Sequence, residues 1–296
     1  MAQIRANGIA IEYEDFGPRS GPVILLIMGL GGQLTRWPVE FIAVLTERGY
    51  RVIRYDNRDV GLSQKFDSAG PAPIPQMMAD LAQGKKIASA YSLSDMADDA
   101  AGLLGALGIA KAHIVGASMG GMIGQLVAAN HPGKTISFTS IMSSTGNPEL
   151  PQAKPEAMAV LTNRPPPDDM EALIESGVKA SRIIGSPGYP ADEKILRQNI
   201  AADLKRSNYP AGFSRQMAAV MTCGDRRADC KRIAAPTLVI HGLDDSLVPV
   251  QAGRDTAANI KGAELLEIPG MGHDLPVGLY AKIAGAIDAN AKRAVG

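Results

Sequence analysis

The clearest chemical signal in the sequence is a serine enclosed by glycines, in the run Gly116–Gly120. The run has the form Gly-x-Ser-x-Gly, follows an apolar strand pattern and opens a helical one. Such a turn needs small residues beside the serine, and it presents the Ser118 hydroxyl at the carboxyl end of the strand. The pattern predicts a nucleophile at Ser118; the alternative is a purely structural glycine-rich turn.

A nucleophilic serine needs a base, and the sequence contains four histidines. His113 falls within a predicted strand, His131 precedes a proline at a predicted helix end, and His241 ends a predicted strand. Structural roles are expected for these three. His273 lies in a glycine-rich loop after the last predicted strand, where an imidazole is free to reach Ser118. We therefore predict His273 as the general base.

The base needs an acid that fixes its tautomer and stabilises the imidazolium. Asp244 and Asp245 both follow the predicted strand 237–240, and either one gives the chain order serine, aspartate, histidine. Adjacency in the sequence does not separate them, and the carboxylate not used is expected to cap a turn or face solvent. Glu149 is a remote third option.

An oxyanion hole formed by backbone N–H groups is the remaining requirement of acyl transfer. Met119 is expected to supply one N–H and Leu30 the other, because the glycine-rich segment 28–32 follows the apolar strand 23–28. This segment has neither the Gly-Lys-Ser/Thr nor the Gly-x-Gly-x-x-Gly pattern, so nucleotide binding is poorly supported. Because both donors are backbone groups, the side chains at positions 30 and 119 can vary and can shape a pocket.

The elements that must position these residues alternate between strand and helix over about 140 residues. This alternation predicts an α/β fold with a mostly parallel sheet flanked by helices. Ser94 is the predicted N-cap of the helix 95–107. The predicted strands are 9–13, 23–28, 51–55, 113–116, 136–142, 237–240 and 264–268, and the predicted helices are 37–48, 95–107, 120–130 and one that begins at residue 280.

Between residues 146 and 222 the strand patterns stop, and proline clusters separate helical stretches. We call residues 146–222 the insertion and predict that it is a helical cap, or lid, on a core formed by 1–145 and 223–296. Its methionines are expected to line an adaptable apolar wall, although core filling is the commoner role of each one. They are Met158, Met170, Met217 and Met221, with Met77 and Met78 in the proline-rich stretch before the helix 95–107.

Composition excludes several classes of function. The 296 residues include 30 basic and 30 acidic side chains, and this balance disfavours binding to nucleic acid or an acidic membrane surface. The longest apolar stretch is about a third of a membrane span, and no targeting segment is apparent, so a cytoplasmic location is expected. Cys223 and Cys230 are too few for a disulfide framework, and structural or incidental roles are expected for them.

Several motifs together resemble the α/β-hydrolase superfamily over essentially the whole chain, and most closely the bacterial serine hydrolases of the aclacinomycin-methylesterase type. The family spacing Gly-x-x-Asp-x-x-Val-Pro, laid on Gly242 and Val248, implies that Asp245 is the acid. The chain departs from common family patterns at Met28, where a histidine is usual, and in the turn after Tyr55. The motifs that carry the resemblance are 25–30, 52–63, 116–122, 235–242 and 268–276.

The resemblance implies that Ser118, His273 and Asp245 cleave a carboxylic ester through an acyl-enzyme, with Asp56 and Arg58 as structural braces. The expected substrate is a small to medium, mainly apolar ester, with no cofactor and no metal. Perhydrolysis of the haloperoxidase type, acyl transfer and ligand sensing on the same fold are the alternatives. Relatives that use an aspartate nucleophile are set aside because position 118 is serine. The residues expected to line the substrate pocket are Met28, Gly29, Met158 and Met217.

Overall fold

The computed structural model describes residues 2–163 and 165–294. Its described residues form one eight-stranded sheet in the order β1-β2-β4-β3-β5-β6-β7-β8. The pairs β1–β2 and β2–β4 are antiparallel, and every pair from β4 through β3 to β8 is parallel. The strands are β1 (Ala2–Ala6), β2 (Ile9–Phe16), β3 (Val23–Ile27), β4 (Arg51–Tyr55), β5 (Ala112–Ala117), β6 (Thr135–Ile141), β7 (Thr237–Gly242) and β8 (Glu264–Ile268).

Helices connect the parallel strands and cover both faces of the sheet. Within the described residues none of them is both long enough and apolar enough to cross a membrane. They are α1 (Val39–Thr46), α2 (Ile74–Ala82), α3 (Leu93–Ala106), α4 (Met119–Asn130), α5 (Pro155–Thr162), α6 (Met170–Ile184), α7 (Glu193–Arg206), α8 (Pro210–Cys223), α9 (Arg227–Cys230), α10 (Val250–Asn259) and α11 (Tyr280–Lys292).

Strand β3 shows how the sequence fills both faces of the sheet. All five of its residues are buried, and side chains alternate between the two faces of a strand. Leu25 and Ile27 belong to one core cluster, together with residues of α3 and α4. Ile24 and Leu26 belong to the other, together with residues of α1 and α11. Burial on both faces explains why the strand is a continuous apolar run.

The prediction of a mostly parallel sheet flanked by helices is confirmed, whereas several element boundaries differ. The helix predicted at 95–107 begins two residues earlier, and its N-cap is Ser92, not Ser94. The Ser92 hydroxyl accepts from the Asp95 N–H (3.1 Å), and the Asp95 carboxylate accepts from the Ser92 N–H (2.7 Å). This reciprocal capping box stabilises the earlier start. Strand β1 and the helices α2, α9 and α10 were not predicted.

The insertion lies in the chain between β6 and β7, and α5 to α8 lie within it or end one residue beyond it. Its own buried apolar cluster consists of Ile174 and Val178 on α6 and Ile200 on α7. Among the described residues of the insertion there is no strand. The division of the chain into a core and a cap stays a prediction.

Candidate active site

Ser118 lies between the end of β5 and the start of α4, with a backbone φ of 55°. This left-handed conformation is strained for a residue with a side chain. The flanking glycines make the sharp turn possible: a Cβ at Gly116 would lie 2.1 Å from the Gly120 carbonyl oxygen, and one at Gly120 would lie 2.0 Å from that of Ile27. Close backbone packing therefore explains both glycines of the motif.

The side chain of His273 lies between Ser118 and Asp245. Its Nε2 is 3.0 Å from Ser118 Oγ, and its Nδ1 is 2.7 Å from Asp245 Oδ2. Its backbone N–H donates to the carbonyl of Ile184 at the end of α6 (2.6 Å). With an ionised Asp245, Nδ1–H donates to the carboxylate and Nε2 is left to accept the serine proton. The loop after β8 thus places an imidazole in the geometry of a general base.

Asp245 is held rigidly on the loop after β7. Its Oδ1 accepts from the N–H groups of Leu247 (2.9 Å) and Val248 (2.8 Å), and its side chain is fully buried. Burial opposes its ionisation, but the electrostatic interaction with the His273 imidazole and the hydrogen bonds from His273 and the Val248 N–H outweigh that cost. They hold the pKa of the Asp245 carboxyl well below its usual range. The carboxylate is therefore ionised throughout the physiological pH range.

The two alternative candidates for the acid, Asp244 and Glu149, have other partners. Asp244 Oδ2 accepts from the Gly270 N–H at 2.8 Å and so braces the loop that carries His273. Glu149 is largely exposed and lies 3.6 Å from Arg227. Of these three acids, Asp245 is the one whose carboxylate contacts His273.

The other three histidines have structural surroundings. His113 Nδ1 is 2.9 Å from Ser137 Oγ, and burial lowers the pKa of His113 to about 4. His131 is the C-cap of α4 and lies 2.7 Å from Asp98. His241 ends β7 with its Nε2 2.8 Å from the Val248 carbonyl and 3.6 Å from Asp245 Oδ2. Its second contact supports the candidate acid, a role that the strand pattern did not indicate.

The loop after β3 passes directly over Ser118. A Cβ at Gly29 would lie 3.0 Å from the Cβ of Ser118, and the Gly29 carbonyl accepts from the Gly32 N–H at 3.1 Å. Since the C=O and N–H of a trans peptide point in opposite directions, the Leu30 N–H points away from that bond. Met119 is the first residue of α4, and the first N–H groups of a helix lack partners within the helix. Leu30 thus follows Gly29 in the loop over Ser118 and Met119 follows Ser118 directly, and their role as oxyanion donors stays a prediction.

The four residues expected to line a pocket are spread over three parts of the fold. Gly29 and Met28 belong to the loop over Ser118, and a Cβ at Gly32 would lie 2.7 Å from Met28 Cγ. Met217 is half-buried on α8. Met158 on α5 is 36% exposed. That these four residues line a substrate pocket stays a prediction.

Two polar residues expected to be structural do brace the loops beneath the site. Asp56 accepts from the N–H groups of Leu34 (2.7 Å) and Leu62 (2.8 Å). Arg58 forms a two-pronged ion pair with Asp99 at 2.6 and 2.8 Å. Sequence reasoning missed the contribution of α8, whose buried Arg215 and Gln216 contact these same loops, because no local pattern marks a contact across more than 150 residues.

Two cavities are lined mainly by residues of the insertion. A cavity of about 430 Å³ lies between α5 and α6, and one of about 280 Å³ is lined partly by Ser186 and Asp274. The Ser186 hydroxyl donates to the Asp274 carboxylate. In the described part of the chain, no group of three or more His, Cys, Asp or Glu is arranged to hold a metal ion.

Comparison with known proteins relates the chain to several enzymes. It is 28% identical over 313 residues to rhodomycin D methylesterase DauP of Streptomyces sp. (strain C5), covering 98% of both chains. It is also 28% identical to a Variovorax paradoxus (strain S110) protein, RutD, provisionally named a carbamate hydrolase, covering 89% of both. These names and the fold support an ester-hydrolysing enzyme.

Solved structures and a family model agree on the fold. The enol-lactonase of Burkholderia xenovorans LB400 matches with a TM-score of 0.69 at 26% identity, covering 99% of this chain and 98% of that one. The meta-cleavage product hydrolase CumD of Pseudomonas fluorescens IP01 matches with a TM-score of 0.71 at 21% identity, covering 99% and 96%. The model of the alpha/beta hydrolase fold matches residues 22–175, more than half of the chain. The chain therefore belongs to the α/β-hydrolase fold family.

Proposed function

We propose that the protein is a serine hydrolase that cleaves a carboxylic ester of a small to medium, apolar substrate. One observation carries the proposal: Ser118 Oγ, His273 and Asp245 form a continuous hydrogen-bonded chain of 3.0 and 2.7 Å. The methylesterase relative supports ester chemistry in particular. Equal numbers of basic and acidic residues support a neutral substrate, and we expect it to be met in the cytoplasm.

In the first half-reaction, Ser118 Oγ attacks the ester carbonyl carbon while its proton passes to His273 Nε2. The carbonyl oxygen becomes an oxyanion, which the Leu30 and Met119 N–H groups stabilise, each by roughly 3 kcal/mol. Asp245 keeps the imidazole oriented and stabilises its positive charge. The carbon–oxygen bond then breaks, and His273 returns the proton to the leaving alcohol.

In the second half-reaction, His273 removes a proton from a water molecule, which attacks the acyl carbon. A second oxyanion forms and collapses, the bond to Ser118 Oγ breaks, and the serine recovers its proton from His273. The carboxylic acid then leaves. The two half-reactions balance without a cofactor, because the ester and water are the only reactants.

The insertion is the part we propose to cover the substrate, with Met28, Gly29, Met158 and Met217 lining the pocket. Support comes from its direct links to the site: the His273 N–H donates to Ile184, and α8 contacts the loop over Ser118. A flexible thioether wall tolerates acyl groups of varied shape.

The deciding experiment compares Ser118→Ala with wild type on p-nitrophenyl acetate and butyrate. We expect kcat/KM to fall by about 10⁴-fold or more, because a triad acts as a unit. Ser137→Ala is the matched control: it removes a buried hydroxyl that contacts His113, early in β6, and the rate should stay near wild type. More than about a hundredth of wild-type activity in Ser118→Ala contradicts the proposal.

A second function shares the triad and has support from one relative. The chain is 28% identical to a protein of Mycobacterium tuberculosis (strain CDC 1551 / Oshkosh), BpoC, provisionally named a non-heme bromoperoxidase. Water, peroxide and an alcohol should therefore be offered in competition as acyl acceptors. A strong preference for peroxide or the alcohol would replace hydrolysis by perhydrolysis or acyl transfer.

A further inference from the structure

Helix α8 of the insertion is fastened to the core by a buried arginine. Arg215 is 2% exposed, and its guanidinium donates to both carboxylate oxygens of Asp59 at 2.7 Å. A third bond of 2.7 Å reaches the carbonyl of Gly70. Two-pronged bonds of this kind fix direction as well as distance. The rotation of α8 about its axis is thereby set relative to the core.

The next residue, Gln216, points at the loop over Ser118 and is fully buried. Its Oε1 accepts from the Gly31 N–H at 2.8 Å, and its Nε2 donates to the Arg58 carbonyl at 2.7 Å. Because Gly31 offers a donor and Arg58 an acceptor, one orientation of the amide satisfies both ends. The side chain is therefore locked in place and bridges two core loops.

The bond to Gly31 acts on the centre of a tight turn. Residues Gly29–Gly32 form a turn closed by the Gly32 N–H and the Gly29 carbonyl (3.1 Å), and Gly31 has a φ of 66°. A positive φ at the third position is typical of a type II turn, which differs from type I by a flip of the central peptide. That peptide joins Leu30 to Gly31, and its N–H is the group that Gln216 holds.

The packing of helix α8 also leaves no room for a side chain at position 31. A Cβ at Gly31 would lie 2.6 Å from the ring of Phe213, one turn before Gln216. The helix therefore packs directly on the turn as well as bonding to it. A flip of the central peptide would leave the buried Gln216 oxygen without its donor, which is costly.

We propose that Gln216 is a positioning residue for the oxyanion hole, although it belongs to the insertion and lies 185 residues from Gly31 in the sequence. By fixing the Leu30–Gly31 peptide it holds the adjacent Leu30 N–H toward the carbonyl oxygen of a bound ester. The oxyanion hole is then complete when α8 is seated on the core. This inference rests on the proposed hydrolase function.

The test compares Gln216→Met with Gln125→Met in otherwise intact protein. Gln125 is a matched control because it is also fully buried and bonded at both ends of its amide, to Arg226 and to the Ser144 carbonyl. For Gln216→Met we expect kcat on p-nitrophenyl butyrate to fall by about 10- to 100-fold, a part of what a lost oxyanion donor costs. KM should change by less than about threefold, since ground-state binding is retained.

A second readout separates positioning from mere loss of structure. A trifluoromethyl ketone forms an oxyanion adduct with the nucleophilic serine, so its inhibition constant should rise by the same factor as kcat falls. Gln125→Met should lower the thermal midpoint of unfolding about as much as Gln216→Met does. It should leave both kcat and the inhibition constant unchanged. Equal kcat values for folded Gln216→Met and Gln125→Met would overturn the proposal.

Gln216→Glu keeps an oxygen for the Gly31 N–H and loses the donor to Arg58, so its kcat should exceed that of Gln216→Met. The reverse order would also overturn the proposal. If Gln216→Met does not fold, Gln216→Glu decides alone: at least about a tenth of wild-type kcat supports the Gly31 contact, and less contradicts it. Inactive wild type would instead reject the hydrolase function itself.

Discussion

The sheet and the insertion are stabilised in different ways. The sheet packs two large apolar clusters, one on each face, and strands β3 and β5 are buried at every residue. The insertion has a three-residue apolar cluster of its own. Apolar burial is the dominant favourable term in folding. The three candidate catalytic residues follow the carboxyl ends of sheet strands, on the better-packed part of the molecule.

Apolar contacts of α8 reach one sheet cluster through Ala219 and Val220, and polar contacts also join the insertion to the core. Arg206 on α7 lies 2.8 Å from Asp56, and Arg36 in the core lies 2.6 Å from Asp203 on α7. The Arg206–Asp56 pair is largely buried, and such a pair restricts the geometry of its partners more than it adds stability, whereas the pair of the half-exposed Arg36 contributes little. We infer from the difference that the sheet holds the reacting groups, while the insertion is seated in one defined position by directional bonds.

The largest expected effect tests the sheet side of this comparison. Asp245→Asn should lower kcat by about 10⁴-fold, because the amide favours the wrong tautomer of His273. Asp244→Asn is the adjacent control: its side-chain oxygen still accepts from Gly270, and the rate should stay within a few-fold of wild type. Steady-state kinetics on one small ester measure both. Similar losses in the two variants would mean that the assignment of the acid is wrong.

A smaller effect tests the seating of the insertion. Arg215→Met leaves the buried Asp59 carboxylate without its partner and should lower the free energy of unfolding by about 3–5 kcal/mol. Urea denaturation followed by circular dichroism measures this. Adding Asp59→Asn should recover part of the loss, because the uncompensated charge is removed. Arg197→Met, which loses exposed bonds to Glu171 and Glu175, should leave the denaturation midpoint unchanged; an equal shift would contradict the role of Arg215.

The smallest expected effects come from removing one methyl group from the sheet and one from the insertion. Ile114→Val in β5 should lower the free energy of global unfolding by about 1 kcal/mol. Ile200→Val removes a methyl group from the buried cluster that Ile200 forms with Ile174 and Val178. It should change global unfolding less, because we expect α6 and α7 to open locally. Hydrogen exchange should instead speed up in those two helices. Equal global effects would show that the insertion unfolds with the sheet as one unit.

Local patterns gave the strand bounds of β8 and the start of α11 correctly, because an apolar run and a final amphipathic stretch are read within a few residues. The start of α3 was missed, although Ser92 and Asp95 carry a capping box, because Ser94 also suits an N-cap. Strand β1 was missed because most of its residues are exposed, so no apolar run marks it in the sequence. An edge strand is stabilised by pairing with its neighbour, which leaves little trace in its own hydrophobicity.

By itself, the sequence determined the strand–helix alternation, the tight turn at Ser118 and the order serine, aspartate, histidine, because period and turn chemistry are local properties. Residue spacing alone left Asp244 and Asp245 open, and the family resemblance implied Asp245. The tertiary structure shows the reason, because neighbouring side chains point in different directions and the Asp245 carboxylate is the one that contacts His273. The tertiary structure also decided that Gln216 meets Gly31. That contact forms because folding buries both polar groups together, and a buried polar group must find a partner.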